Sequence, residues 1–277
     1  MHVPNLKRLE IDITLLCNLN CINCDRIISV VPSNSSQNMS VDQIKKFIEQ
    51  SVSNNYEWEG ITVLGGEPTI HPDFKEIISL LADYKSLHNH SMRLAIVTNG
   101  YGDNNRKVLE WLEYKHPYVI IDNGKKTSKY QPHFINVCNA PVDILEDGKS
   151  QKYRGCWLTE TVGIALTYSG FYPCSVGSSI DRVFKYDIGI KDIKDLGILK
   201  LQEMYDVLCS KCGHYCIKQS SKSGSKMTVS TTHEQISQEF EYRINNFKNE
   251  DIDDSTSPVW KEAIKKYYSD TRDLTRY

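Results

Sequence analysis

The sequence predicts an α/β fold: a partial (β/α) barrel of about five to six parallel strands, followed by a small cysteine-rich domain made of a β-hairpin and a helix. Three observations predict it. Segments of period two alternate at least three times with segments of period 3.6, the pattern of a parallel sheet with right-handed crossovers. The strands are too few to close an eight-stranded barrel, and the alternation stops near residue 145. Eight of the nine cysteines fall into two sets, Cys17, Cys21 and Cys24 early in the chain and Cys156, Cys174, Cys209, Cys212 and Cys216 after the alternation ends.

The elements follow in order. Residues 9–14, LEIDIT, alternate as a strand does. Ser40 opens a helix with Gln43 completing a capping box, and Val41, Ile44, Phe47, Ile48 and Val52 line one face. Residues 60–64 form the second strand and run into Gly65-Gly66-Glu67-Pro68. Pro72 suits a helix first turn, and Phe74, Ile77, Ile78 and Leu81 make the next apolar stripe. Residues 93–98 form the third strand, ending in Thr98-Asn99-Gly100. Asp103 can cap a helix carrying Val108, Leu109 and Leu112; residues 118–122 and 134–138 read as two further strands.

After residue 150 the character changes. Residues 156–174 read as a β-hairpin turning at Ser169-Gly170, with Cys156 and Cys174 at its ends. A helix with Leu201, Met204, Tyr205 and Leu208 on one side then delivers Cys209. The expected organisation is a barrel unit over 1–149, a cysteine-rich unit over 150–218, a Ser/Thr/Lys-rich linker over 219–232 and a helical tail over 233–277. In the tail Ile236, Phe240, Ile244 and Phe247 make one stripe, and Trp260 and Ile264 belong to a last short helix.

Composition narrows the function. With 33 Lys+Arg against 35 Asp+Glu the net charge is −2, so no basic face for nucleic acid is expected. No apolar run is long enough to span a membrane, and the N-terminal residues lack a signal-peptide h-region, so a cytoplasmic protein is expected. An odd number of cysteines in a reducing compartment argues against a disulfide framework and for soft-metal ligation.

Cys17, Cys21 and Cys24 form a CxxxCxxC loop directly after the first strand. Three thiolates this close can hold three corners of a cubane and leave the fourth iron open to a ligand. The alternative is a structural zinc site, but such sites pair C-x2-C with a second, distant pair. In a parallel sheet chemistry collects at the strand C-termini, where this loop, Gly65-Gly66-Glu67-Pro68 and Thr98-Asn99-Gly100 all fall.

On these three motifs, in this order, residues 9–140 resemble the radical SAM superfamily. The resemblance implies that Cys17, Cys21 and Cys24 hold a [4Fe-4S] cluster whose open iron chelates S-adenosylmethionine (SAM). It implies that Gly65, Gly66, Glu67 and Pro68 hold the SAM amino group and that Thr98 and Asn99 contact its ribose. One-electron cleavage of SAM would then give a 5′-deoxyadenosyl radical that abstracts hydrogen from the substrate. One departure is visible: an aromatic residue usually precedes the third cysteine, and here that residue is Asn23.

Residues 150–217 resemble a Twitch domain, the shortened relative of SPASM. The resemblance implies an auxiliary [4Fe-4S] cluster on Cys156, Cys174, Cys209 and Cys212, with Cys216 able to replace Cys174 or Cys212 or to stay uncommitted. A zinc knuckle of Cys209, Cys212, His214 and Cys216 is the other reading of this spacing. Cys138 reads as a buried small side chain or as a hydrogen-atom donor. His71 reads as a helix cap, and Tyr168, Phe171 and Tyr172 as hairpin core.

The function expected is radical dehydrogenation of a small sugar or cyclitol alcohol, with epimerisation second. The partners are a small-molecule substrate and an electron donor such as a flavodoxin or ferredoxin. Radical modification of a ribosomal peptide or protein side chain is the main rival. It is disfavoured because no segment the size of a leader-binding domain precedes Cys17. A non-catalytic zinc or iron–sulfur protein is the reading from another class, and it has no use for the two strand-end motifs.

Overall fold

In the computed structural model the described residues are 1–19, 24–28, 35–126 and 154–212. A six-stranded sheet organises them, in the order β4-β3-β2-β1-β5-β6. The strands are β1 (Arg8–Thr14), β2 (Gly60–Gly65), β3 (Arg93–Thr98), β4 (Ile120–Asn123), β5 (Ile164–Thr167) and β6 (Gly170–Tyr172). The β1/β2, β2/β3, β3/β4 and β1/β5 pairs are all parallel, and among these strands only β6 runs antiparallel, beside β5. Helices α1 (Val41–Ser53), α2 (Phe74–His88) and α3 (Asp103–Lys115) make the three crossovers, so the first four strands are laid down side by side as expected.

The local signals explain the element starts. Ser40 accepts from the Gln43 amide and Gln43 Oε1 accepts from the Ser40 amide, a complete capping box that stabilises such a start by about 1 kcal/mol. Pro68 opens a 3-10 turn over Pro68–Ile70, whereas Pro72 lies just ahead of α2, whose capping position is Asp73. Asp103 is the first helical residue of α3 and not its cap; Gly102 takes that place with φ +94°. Leu9, Ile11 and Ile13 of β1 are at most 1% exposed and join one core with Ile44, Phe47, Phe74, Ile77, Leu81 and Leu112.

The hairpin departs from its expected form. Cys156 does not begin a strand, because Trp157–Thr161 winds into a short helix, α4. The hairpin is only β5 and β6, it turns at Tyr168-Ser169, and β5 extends the main sheet on the free side of β1. A helix unread in the sequence follows, α5 (Ser175–Phe184). Then come α6 (Ile198–Glu203) and α7 (Tyr205–Leu208), where Leu201, Met204, Tyr205 and Leu208 are all buried as the stripe requires. Phe171 and Tyr172 fill the core as well. The strand read at 134–138, Cys138, the linker at 219–232 and the tail at 233–277 lie outside the described residues. Among the described residues no helix is long and apolar enough to cross a membrane.

Candidate active site

The C-terminal ends of β1, β2 and β3 are drawn together by backbone first. Gly65 has φ +137°, and a side-chain carbon there would stand 2.0 Å from the Thr14 carbonyl; at Gly66 it would stand 2.1 Å from the Leu16 carbonyl. Only glycine permits this approach. It lets the Gly66 amide donate to Thr14 O and the Glu67 amide to Leu16 O, each at 2.8 Å. The residue before Cys17 is therefore pinned to the Gly-Gly-Glu segment.

Glu67 is fully buried, and its carboxylate accepts five hydrogen bonds. Thr69 gives two, from its amide at 3.1 Å and its hydroxyl at 2.6 Å. Thr98 Oγ1 gives one at 2.8 Å, the Asn99 amide one at 2.8 Å and Asn105 Nδ2 one at 3.1 Å. One carboxylate thus ties the loop after β2, the end of β3 and the first turn of α3.

Asn99 ties the cysteine loop to the same knot. Its Nδ2 donates to Asn18 Oδ1 at 2.8 Å and stands 3.9 Å from Cys17 Sγ, while its Oδ1 accepts from the Tyr101 amide at 2.7 Å. Asn18 Nδ2 returns a bond to the Tyr101 carbonyl at 2.9 Å. Cys17 Sγ also accepts from the Leu19 amide at 3.4 Å. The Cys24 sulfur accepts from the Arg26 and Ile28 amides; burial nevertheless raises its pKa. Backbone N–H groups aimed at sulfur favour a thiolate. This donor set fits a thiolate-ligated cluster. Cys21 and Asn23 lie outside the described residues.

Beside the loop sits an ion group that the sequence reading missed. Arg26 is 4% exposed and bonds Asp12, Glu10 and Asp25. Burial raises the Asp12 carboxyl to about 6, against the opposing pull of Arg26. The available signal was Glu10 and Asp12 at alternate positions of a strand flanked on both sides in the sheet. His71 Nδ1 accepts from the Asp73 amide at 3.0 Å, close to the capping role read for it, and its Nε2–H donates to Met39 O at 3.0 Å.

The second set of cysteines also converges. Cys156, Cys174, Cys209 and Cys212 line one cavity whose remaining walls include Val176, Ile180, Tyr205 and Leu208. Cys156 caps α4 and Cys174 caps α5, where its sulfur accepts from the Gly177 amide at 3.3 Å. Gly177 leaves room in this wall, since a side-chain carbon there would meet Leu208 at 3.1 Å and Cys174 Sγ at 3.5 Å. Burial pushes the Cys174 thiol up to about 12 and raises Cys156; Cys209 is raised by burial and then by charge on Cys174, Cys212 and Cys156. Four thiols around an apolar cavity fit the all-thiolate ligand set of a cubane cluster. Among the described residues no group of three or more His, Cys, Asp or Glu side chains is placed as the ligands of a bound metal ion would be. His214 and Cys216 lie outside the described residues.

Comparison with known proteins agrees with the first motif set. Residues 11–126 match the radical SAM superfamily. The chain is 31% identical over 93 residues to a GTP 3′,8-cyclase of Haemophilus ducreyi, covering 34% of this chain and 26% of that protein. It is 37% identical over 174 residues to a putative glycyl-radical enzyme activating enzyme of Methanocaldococcus jannaschii, covering 52% of this chain and 63% of that protein. The chain thus spans about a quarter of the cyclase and less than two thirds of the activating enzyme. Among solved structures, BtrN in complex with AdoMet and 2-DOIA superposes with a TM-score of 0.41 at 12% identity, over 82% of this chain and 97% of that one.

Proposed function

We propose that the chain, whose residues 11–126 match the radical SAM superfamily, is a radical SAM enzyme with one SAM-binding cluster and one auxiliary cluster, acting on a small molecule. Cys17, Cys21 and Cys24 would hold the first [4Fe-4S] cluster and Cys156, Cys174, Cys209 and Cys212 the second. When bound, the first cluster supplies the electron that cleaves SAM to methionine and a 5′-deoxyadenosyl radical, which takes a hydrogen atom from the substrate, and the second supplies an acceptor for the electron left behind.

The chain's own residues have narrower tasks. Gly65 and Gly66 bring the backbone close to the cysteine loop. Glu67, saturated by its five donors, holds the rim of the SAM site in shape, together with Pro68, Thr98 and Asn99. Leu19, Arg26 and Ile28 amides favour the thiolate form of their cysteines. The apolar walls around Cys156, Cys174, Cys209 and Cys212 keep substrate and water from that metal, which suits a relay better than a binding site.

The observation that carries the reading is that the cysteine loop is hydrogen-bonded to both strand-end motifs, through Leu16 to Glu67 and through Asn18 to Asn99. The four-cysteine cavity favours dehydrogenation, which needs an electron acceptor, over epimerisation, which does not. Matched proteins named for two different reactions, a cyclase and an activating enzyme, support shared radical initiation and not a shared substrate. A flavodoxin or ferredoxin is the reductant proposed. The test is anaerobic incubation of reconstituted protein with SAM, dithionite and panels of sugar alcohols, cyclitols and peptides. The reading expects 5′-deoxyadenosine and a product two mass units below an alcohol substrate. No 5′-deoxyadenosine from a fully loaded protein would overturn the radical reading; a peptide substrate would overturn the small-molecule one.

A further inference from the structure

Arg26 follows the third cysteine of the loop by two positions and is the centre of a buried ion group. Its Nε stands 3.2 Å from each Asp12 oxygen, and its Nη2 3.1 Å from Asp12 Oδ1. Nη2 also reaches Glu10 Oε2 at 3.2 Å, and Nη1 reaches Asp25 Oδ2 at 2.9 Å. The Asp12 and Glu10 side chains are 0% and 15% exposed. Three carboxylates around one guanidinium leave two formal negative charges, with Asp12 and Glu10 shielded from water and Asp25 36% exposed at the edge of the group. Burying such an excess is unfavourable, and apolar residues of the same volume often hold a fold at least as well.

The same residue contacts the chain on both sides, at the cysteine loop and at α5. Its amide donates to the Cys24 sulfur. Its carbonyl accepts from Arg182 Nη2 at 3.2 Å, and Arg182 belongs to α5, the helix capped by Cys174. On its other side, Glu10 pairs in the sheet with Ala165 of β5, and Ala165 pairs with Tyr172 of β6, two residues before Cys174. Reduction of a cluster adds one negative charge, so fixed charge at short range in a low dielectric changes its potential.

We propose that the ion group of Arg26 with Glu10, Asp12 and Asp25 is a charged brace between the two cysteine sites that sets the reduction potentials of the clusters held there. The inference rests on the two-cluster reading above. It makes Arg26 and Asp12 positioning residues that act through charge on groups they do not ligate.

The test is an EPR-monitored redox titration of the reconstituted full chain at pH 8, above the Asp12 pKa, for wild type, Asp12→Asn and Asp12→Asn with Arg26→Gln. Asp12→Asn removes one negative charge, so both midpoints should rise. Adding Arg26→Gln restores the original net charge with a neutral amide pair, so both midpoints should return to the wild-type values. A loosened structure would not be repaired by a second lesion. Unshifted midpoints in a fully loaded Asp12→Asn chain, or a double variant displaced further in the same direction, would overturn the brace. Should Asp12→Asn lose iron, Glu10→Gln makes the same charge change at a less buried carboxylate, and an unshifted midpoint there overturns it equally. A wild-type chain without two iron–sulfur signals would instead overturn the reading beneath it.

Discussion

Around Cys17 and Cys24 the chain is held by polar groups: Asn18 and Asn99 lock the loop, and Glu67 gathers donors from Thr69, Thr98, Asn99 and Asn105. Around Cys156, Cys174, Cys209 and Cys212 it is held by Val176, Ile180 and Leu208. A polar mesh fixes directions, because each hydrogen bond has a geometry. An apolar wall fixes volume and excludes water. The first arrangement suits a metal that must present an open coordination position to a charged ligand. The second suits a metal whose positions are all filled by protein. Burial raises the thiol pKa at both sites, at Cys24 and, to about 12, at Cys174, so in each a bound cation favours the thiolate.

The largest expected contrast comes from emptying each site in turn. Reconstituted wild type should hold about eight irons, two cubanes of four. Replacing Cys17, Cys21 and Cys24 together by Ala should leave about four irons and abolish 5′-deoxyadenosine formation, measured by iron analysis and chromatography. Stoichiometric zinc with about four irons in wild type would instead favour the knuckle of Cys209, Cys212, His214 and Cys216.

Replacing Cys156 and Cys174 together by Ala should also leave about four irons, yet keep 5′-deoxyadenosine formation while the oxidised product disappears. Circular dichroism first confirms that α4 and α5 survive the loss of their cap residues. Full turnover in this variant would break the contrast, since the apolar site would then have no part in the reaction.

A smaller effect is expected from the mesh itself. Glu67→Ala leaves the donors of Thr69, Thr98, Asn99 and Asn105 without their acceptor. Each buried donor left unsatisfied costs the fold about 1–3 kcal/mol, so the melting temperature should fall, and SAM binding should weaken through the lost shape of the rim, with both clusters retained. Calorimetric titration measures it, and unchanged affinity would show that the mesh does not shape the SAM site.

The smallest effect concerns pH. His71 is buried and neutral, and burial lowers its pKa. The unfolded chain binds the proton first, so this group lowers stability as pH falls below about 6.5 and has no further effect above it. Asp12 acts in the opposite sense: its folded pKa of about 6 exceeds the ordinary 3.8, so its contribution grows as pH falls through 6. Melting temperatures of His71→Gln against wild type between pH 5 and 8 isolate the histidine, and the variant should show the flatter fall on the acid side.

The same contrast separates what the sequence reveals from what it hides. The polar region is written in local signals: the period-two strands ending in Gly65-Gly66 and Thr98-Asn99, the Ser40 capping box, and the spacing of Cys17, Cys21 and Cys24. The partners of Glu67 are not legible, because Thr69, Thr98 and Asn105 come from three different elements. Glu10 and Asp12 show in the sequence only as the polar positions of an alternating strand; that β1 lies between β2 and β5, and that Arg26 takes their charge inward, is not legible there. In the apolar region the cysteines were legible and their supports were not. Ser175, Gly177, Ser178 and Ser179 are poor helix formers, so α5 was passed over, although Val176, Ile180 and Val183 at helical spacing were its signal. Trp157–Thr161 is a single helical turn, too short for periodicity to separate from a strand.

The difference between an open and a closed metal site is tested most directly by EPR of the dithionite-reduced, fully reconstituted chain with and without SAM. Two [4Fe-4S] signals are expected, with SAM changing one and leaving the other untouched, and the signal that changes should be absent when Cys17, Cys21 and Cys24 are all replaced by Ala. A single signal, or two signals that are both indifferent to SAM, would contradict it.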